Sequence, residues 1–298
     1  MAISRVAVVG AGTMGNGIAH VFAQYGYPVT LIDVSDDQLS RALDTIGRNL
    51  DRQIKKGVLQ EADKTKTLQN IVTGNYIPGN VGEADLIVEA ATENEALKLK
   101  IFKEIDASAK QGAVLASNTS SISITKIAAV TWRPGRVVGM HFMNPVPMMK
   151  LVEVISGYHT EKAVVDEVVA LSKALDKVPC VVNDYPGFIA NRILMPMINE
   201  AAYALHEGVS GVAEIDTIMK LGMAHPMGPL QLADFIGLDV CCSILNVMYE
   251  GFKNPKYAPC PLLVNMVAAG NLGKKSGSGF YDYSGEGKDL VINSVFLK

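Results

Sequence analysis

The segment Val6-Ala7-Val8-Val9-Gly10-Ala11-Gly12-Thr13-Met14-Gly15 joins an apolar run to a glycine-rich motif. Its apolar half predicts a strand, its G-x-G-x-x-G half predicts a turn, and the amphipathic residues that follow predict a helix. Glycines in this pattern permit a tight turn, let the backbone approach a pyrophosphate and allow the helix to pack closely on the strand. The helix N-terminus then faces the phosphate charge. The sequence therefore predicts a dinucleotide site with contacts from Gly10, Gly12, Thr13, Met14 and Gly15.

Asp33 indicates which dinucleotide is bound. It closes the second predicted strand, about 20 residues beyond the glycines, where an acidic side chain accepts hydrogen bonds from the ribose 2′-hydroxyl. The same carboxylate repels a 2′-phosphate, and no arginine occurs among the three residues that follow it, Val34, Ser35 and Asp36. NAD is therefore favoured as the cofactor, with NADP as the alternative.

The first two-thirds of the chain predicts an α/β fold: a Rossmann-type, mainly parallel sheet with helices on both faces. Short β-branched runs predict the strands Ile3–Val9, Val29–Asp33, Leu86–Glu89, Val114–Ala116, Val137–Met140, Leu151–Ile155 and Val178–Val182. Amphipathic stretches between them predict helices near 14–25, 36–56, 60–69, 95–109 and 161–175.

The pattern changes after Val182, where a turn leads into Pro186, a residue suited to opening a helix. From there we expect a smaller all-helical domain, with helices near 187–206, 211–221, 229–249 and 260–269. The predicted domains are therefore 1–183, which binds the cofactor, and 184–298, which is helical. No role is predicted for the segment from Ser284 to Lys298.

Composition excludes several classes of protein. The 298 residues are 49% hydrophobic and 19% charged, with a net charge of −3, which excludes a disordered chain and argues against nucleic acid or a membrane surface as a partner. No apolar run reaches the ~18 residues of a membrane span, and no targeting signal is found. The cysteines, Cys180, Cys241, Cys242 and Cys260, lack metal-ligand spacing. We expect reduced core cysteines, no metal and a cytoplasmic location.

Two ionisable residues, one after a predicted strand and one within another, suggest catalysis. His141 follows a predicted strand at the edge of the sheet where ligands bind. Glu153 interrupts an otherwise aliphatic strand, Leu151–Ile155, in which an isolated carboxylate is costly to bury. A solvated strand face would also explain Glu153. Paired with His141, however, it would fix the imidazole tautomer and stabilise the imidazolium during proton transfer.

Taken together, these motifs make the chain resemble the 3-hydroxyacyl-CoA dehydrogenases, and in particular the short-chain bacterial members that act on 3-hydroxybutyryl-CoA. The resemblance is carried by Gly10–Gly15, Ala116–Ser121, His141–Ile155, Pro186–Glu200, His225–Asp239 and Leu272–Tyr283. It spans nearly the whole chain and implies NAD-dependent interconversion of an (S)-3-hydroxyacyl-CoA and a 3-oxoacyl-CoA. A homodimer formed through the helical domain is also implied.

The resemblance also implies residue roles. His141 would be the general base with Glu153 behind it, while Ser120 and Asn191 would contact the substrate. Around the NAD, it adds the positions Glu93, Lys98, Asn118, Asn144 and Lys275. Near the end of the long crossover helix, Asn49, Arg52 and Lys56 match the region that holds coenzyme A, and their i, i+3, i+7 spacing places them on one helix face. From the sequence alone, an ordinary solvated face explains these three equally well.

Two other functions are compatible with parts of the pattern. A related dehydrogenase of a free hydroxy acid or sugar acid could use the same His–Glu pair, but it would not need the face formed by Asn49, Arg52 and Lys56. A non-catalytic NAD-binding protein or redox sensor could keep the glycine turn. Such a protein has no reason to retain His141, Glu153, Ser120 and Asn191 together.

Overall fold

The computed structural model describes residues 3–285 and 290–297. The chain divides into two compact units, Met1–Tyr185 and Pro186–Lys298. The sequence-based division after residue 183 lies close to this point. Each unit has a hydrophobic core of its own.

The first unit is built on an eight-stranded sheet. In chain order the strands are β1 (Val6–Val9), β2 (Val29–Ile32), β3 (Ile71–Gly74), β4 (Leu86–Glu89), β5 (Val114–Ser117), β6 (Val137–Phe142), β7 (Leu151–Ser156) and β8 (Val178–Asn183). Their order across the sheet is β3-β2-β1-β4-β5-β6-β7-β8. Every neighbouring pair is parallel except β6 and β7. The predicted mainly parallel sheet is confirmed.

Helices connect the strands of the first unit. They are α1 (Thr13–Gln24), α2 (Asp36–Lys55), α3 (Glu61–Gln69), α4 (Glu95–Ser108), α5 (Ile124–Ala128) and α6 (Lys162–Ala174). The side chain of Ser35 caps the N-terminus of α2, and that of Asn94 caps the N-terminus of α4. Strand β3 and helix α5 were not predicted from the sequence.

The second unit is mainly helical, with α7 (Ala190–His206), α8 (Val212–Gly222), α9 (Pro229–Ile236), α10 (Leu238–Phe252) and α11 (Pro261–Ala268). The single helix expected near 229–249 was wrong, because Gly237 adopts a φ of +105° that ends α9 before α10 begins. The unit also contains a two-stranded antiparallel ribbon, β9 (Tyr281–Asp282) with β10 (Val291–Ile292). The all-helical expectation is corrected to that extent.

Two further sequence expectations can be compared with the described residues. Cys241, Cys242 and Cys260 are buried and free, whereas Cys180 is exposed on the edge strand β8, so the prediction of a core position is wrong for Cys180. In ranges 3–285 and 290–297, no single helix has the length and apolar composition to cross a membrane. Helices α9 and α10, bent by 97°, meet that test only when taken together.

Candidate active site

The glycine turn between β1 and α1 has the geometry expected of a phosphate-binding turn. Gly10 has a φ of +102°, which favours glycine, and a Cβ on Gly15 would lie 1.7 Å from the carbonyl oxygen of Gly10. Gly12 is different, because a Cβ there would meet no atom within 4 Å. Gly12 therefore leaves open space in front of the N-terminus of α1, as the approach of a pyrophosphate requires.

Asp33 is tied to this turn by hydrogen bonds. Its Oδ2 accepts from the backbone N–H of Ala11 at 2.8 Å and its Oδ1 accepts from that of Ser35 at 3.0 Å. The side chain of Gln38 donates to the carbonyl oxygen of Ala11 at 3.2 Å. Side chains thus hold both the backbone N–H and the backbone carbonyl of Ala11. The position of the carboxylate beside the turn suits contact with a ribose hydroxyl.

A cavity of 290 Å³ opens beside the turn. It is lined by Gly12, Thr13, Met14, Ala90, Ala91, Thr92, Glu93, Lys98, Asn118 and Thr119. Six of these positions were predicted as cofactor contacts from the sequence or from the resemblance. The open Gly12 backbone, the helix N-terminus and the polar walls fit a dinucleotide.

Glu93 connects this cavity to the loop after β5. Its Oε1 accepts hydrogen bonds from the backbone N–H and the hydroxyl of Ser120, at 2.6 and 2.9 Å, and its Oε2 accepts from the hydroxyl of Thr119 at 2.7 Å. The structure therefore brings together Glu93, a predicted cofactor residue, and Ser120, a predicted substrate residue.

His141 and Glu153 form a direct pair. They are register partners on the antiparallel strands β6 and β7, and His141 Nδ1 lies 2.7 Å from Glu153 Oε2. The side chains are 12% and 4% exposed. A carboxylate that accepts from Nδ1–H fixes the tautomer in which Nε2 is the basic nitrogen, so the pair is suited to proton transfer. Asn118 lies next to this pair, since its Oδ1 accepts from the N–H of Phe142 at 2.9 Å.

Sequence reasoning missed a buried ion pair beneath the cavity. Lys98 and Glu89, the last residue of β4, form this pair, and the hydroxyl of Ser117 donates to Glu89 Oε2 at 2.8 Å. The sequence does contain a sign of this pair, because Glu89 is the one charged residue in an otherwise aliphatic strand. The same observation drew attention to Glu153.

Asn49 and Arg52 lie on α2, and Lys56 is the residue that caps its C-terminus. Arg52 donates to the Asn49 side chain at 3.3 Å, and Arg52 and Lys56 are exposed. Asn49 also lines a second cavity of 270 Å³, together with Thr13, Asn16, Arg41, Thr45 and Asn144 among others. Three predicted site residues, Thr13, Asn49 and Asn144, thus line one cleft beside the glycine turn.

Asn191 and Lys275 belong to the second unit. Asn191 is buried in the first turn of α7. Lys275 pairs with Asp239 at 2.6 Å. Burial alone would raise the pKa of Asp239, but the ion pair with Lys275 lowers it below its usual value. In the described parts of the chain, no group of three or more His, Cys, Asp or Glu side chains is arranged to hold a metal ion.

Comparison with known proteins assigns both units. The model of the 3-hydroxyacyl-CoA dehydrogenase NAD-binding domain matches residues 5–185, and that of the C-terminal domain of the same enzymes matches residues 187–283. A 3-hydroxybutyryl-CoA dehydrogenase from Bradyrhizobium diazoefficiens is 54% identical over 95% of this chain and 96% of its own length. One from Clostridioides difficile is 48% identical over 94% and 99%.

A solved structure agrees with these matches. The crystal structure of (S)-3-hydroxybutyryl-CoA dehydrogenase from Ralstonia eutropha superposes with a TM-score of 0.93 at 51% identity, covering 95% of this chain and 100% of that one. The match to the NAD-binding domain identifies the cofactor as NAD, in agreement with the glycine turn and Asp33. The chain belongs to the 3-hydroxyacyl-CoA dehydrogenase family.

Proposed function

We propose that this protein interconverts an (S)-3-hydroxyacyl-CoA and a 3-oxoacyl-CoA with NAD(H), and that 3-hydroxybutyryl-CoA and acetoacetyl-CoA are its substrate pair. The observation that carries the proposal is the contact between His141 Nδ1 and Glu153 Oε2, on the same unit as the dinucleotide turn. The four-carbon substrate is supported by the names of relatives about half identical to this chain.

His141 is the general base of the proposed reaction. In oxidation, its Nε2 takes the proton of the substrate 3-hydroxyl as C3 becomes a carbonyl carbon, and Glu153 stabilises the resulting imidazolium. NAD, when bound, supplies the acceptor for the hydride that leaves C3. Ser120, held by Glu93, contacts the substrate oxygen, and in the reverse direction His141 returns the proton.

The cofactor is held by the residues of the glycine turn and its neighbours. The turn itself receives the pyrophosphate, and Asp33 receives the ribose hydroxyls. Glu93, Lys98 and Asn118 line the cavity beside the turn, and Asn144 lines the adjacent cleft, which supports contacts with the remainder of the dinucleotide. The roles of Lys275 toward the cofactor and of Asn191 toward the substrate rest on the family resemblance.

Coenzyme A is proposed to bind along α2. Its 3′-phosphate and pyrophosphate are anions, and Arg52 and Lys56 present cations on the face that also carries Asn49. A dehydrogenase of a free hydroxy acid would not need this face.

A homodimer formed through the second unit and a cytoplasmic location are further parts of the proposal. The exposed Ile218, Leu221 and Phe235 of the second unit are consistent with burial against another copy.

One experiment tests the activity and its alternatives together. Acetoacetyl-CoA, longer 3-oxoacyl-CoAs and free acetoacetate are each supplied with NADH or NADPH, and cofactor oxidation is followed by absorbance. We expect turnover of the CoA thioesters with NADH and the highest kcat/KM for acetoacetyl-CoA. Turnover of free acetoacetate at a comparable kcat/KM would contradict the role of α2. No turnover of any thioester would overturn the proposal.

A further inference from the structure

The ion pair between Glu89 and Lys98 is buried to an unusual degree. The side chain of Glu89 is fully buried and that of Lys98 is 2% exposed. Both carboxylate oxygens of Glu89 accept hydrogen bonds. Oε2 accepts from the Lys98 ammonium and the Ser117 hydroxyl. Oε1 accepts from the backbone N–H of Ala91 at 2.9 Å and of Thr92 at 3.4 Å. Lys98 is also 3.4 Å from Ser117 Oγ.

Burying such a pair is not an efficient way to stabilise a fold. The desolvation of two charges offsets much of their attraction, and two well-packed apolar side chains of the same size would stabilise the site at least equally. The presence of a buried, fully hydrogen-bonded ion pair therefore suggests that one of its two charges has a function other than stabilising the fold. Lys98 provides that use, because it lines the 290 Å³ cavity beside the glycine turn.

The residues that Glu89 holds form part of the wall of this cavity. Lys98, Ala91 and Thr92 all line it, and each forms a hydrogen bond or ion pair with the Glu89 carboxylate. We propose that Glu89 is a positioning residue, which together with Ser117 holds the Lys98 ammonium at the wall of the cavity, where it meets the bound dinucleotide. This inference rests on the proposed placement of Lys98 against the cofactor. Glu89 itself does not line the cavity.

A double-variant cycle read by NADH binding tests the inference without any substrate. Dissociation constants are measured from NADH fluorescence for the wild type, Glu89→Gln, Lys98→Met and the double variant, and melting temperatures are recorded in parallel. We expect each single variant to weaken NADH binding by at least about tenfold, because each leaves a buried charge unpaired or removes the working charge. The double variant should bind NADH no more weakly than Lys98→Met alone.

The melting temperatures separate positioning from general stability. The double variant carries an uncharged pair, so its melting temperature should recover toward the wild-type value while its NADH affinity stays low. Glu95→Gln is the matched control, since Glu95 lies in the same first turn of α4 as Lys98 but pairs with Lys126 at the surface, at 3.1 Å. It should leave NADH affinity unchanged.

Three results would contradict the inference in different ways. Wild-type affinity in Glu89→Gln, or an equal further loss when Glu89→Gln is added to Lys98→Met, would overturn the role of Glu89 and leave that of Lys98 standing. Unchanged affinity in Lys98→Met would overturn the proposed placement of Lys98 as well. If Glu89→Gln does not fold, Ser117→Ala replaces it, and its effect on NADH affinity should disappear in the Lys98→Met background.

Discussion

A Cβ atom on Gly15 would lie 1.7 Å from the carbonyl oxygen of Gly10, whereas a Cβ on Gly12 would contact nothing within 4 Å. The two glycines of one motif are therefore required for different reasons. Gly15 is required by the packing of α1 on the turn, whereas we expect Gly12 to be required by the pyrophosphate that the turn is proposed to bind. The folded protein without cofactor should tolerate a methyl group at only one of these positions.

Gly15→Ala and Gly12→Ala test this difference. We expect Gly15→Ala to lower the free energy of unfolding by at least about 2 kcal/mol, since the backbone must shift to admit the methyl group. Gly12→Ala should keep the wild-type stability and lose NADH binding, because its φ of −66° suits any residue and only the ligand meets the new methyl group. Chemical unfolding and NADH titration measure both effects. A stable Gly15→Ala protein would contradict the argument.

His141→Gln tests the proposed general base. We expect kcat to fall by roughly 10²- to 10⁴-fold, the usual contribution of a positioned acid–base group. The NADH dissociation constant should remain at its wild-type value. Glu153→Gln should lower kcat less, because His141 remains but loses the carboxylate that accepts from its Nδ1. Near-normal turnover of His141→Gln would remove His141 from its proposed role.

Asp33→Asn tests the choice between NAD and NADP. The variant removes the charge that disfavours a 2′-phosphate and weakens the acceptor for the ribose hydroxyl. NADH binding should fall roughly ten- to a hundredfold, the range for hydrogen bonds to charged groups. The ratio of NADPH to NADH affinity should rise at the same time. Parallel titrations with both cofactors give this ratio, and an unchanged ratio would show that Asp33 does not select the cofactor.

Arg52→Glu and Lys56→Glu test the coenzyme A face of α2. Reversal of charge should raise KM for acetoacetyl-CoA and leave kcat near its wild-type value, because these side chains act in binding. The wild-type KM should rise with salt, and the variants should lose much of this dependence. Lys103→Glu, on the exposed surface of α4, is the control and should change neither constant. Equal effects in all three variants would indicate a general charge effect.

His20 gives the folded state a sensitivity to acid. Burial in α1 lowers the pKa of His20 from 6.5 to about 4, despite a hydrogen bond with Gln24 at 2.9 Å. The unfolded chain therefore binds this proton more readily, so stability is lost as the pH falls through the range between these two values. The loss should approach about 3 kcal/mol by pH 4, at ~1.4 kcal/mol for each unit of pKa difference.

His20→Gln should remove this part of the acid sensitivity. Urea unfolding followed by circular dichroism at pH 7 and pH 4.5 measures it, with the exposed His159→Gln as the control. The difference in unfolding free energy between the two pH values should shrink only in His20→Gln. If both variants retain the wild-type difference, His20 is not its source.

The sequence predicted the elements whose local signals are strong. The strand before the glycines, the long amphipathic α2 and the aliphatic β4 and β7 were all recognised from periodicity and composition. Strand β3 was missed because it is a short edge strand, and Val72 is 59% exposed, so it carries neither a buried run nor a clear alternation. Helix α5 has only five residues, too few for a periodic signal.

The candidate site was predicted less evenly. His141 and Glu153 could be paired from the sequence because one polar residue lay in each of two apolar strands. Their contact, however, depends on the antiparallel pairing of β6 with β7, which no local pattern reveals. The network of Glu89, Lys98 and Ser117 was missed for a similar reason, since its members lie 9 and 28 residues apart and meet only through sheet and helix packing.

The contact between His141 and Glu153 depends on the register in which β6 pairs with β7. Side chains alternate between the two faces of a strand, so a slip of one position would oppose His141 with Val152 or Val154 and turn Glu153 to the other face. The connection 143–150 joins the two strands, and its length is one determinant of their register. An engineered enzyme in which the loop 143–150 is replaced must therefore keep β6 and β7 in this register, even where the amino acids of the loop are changed.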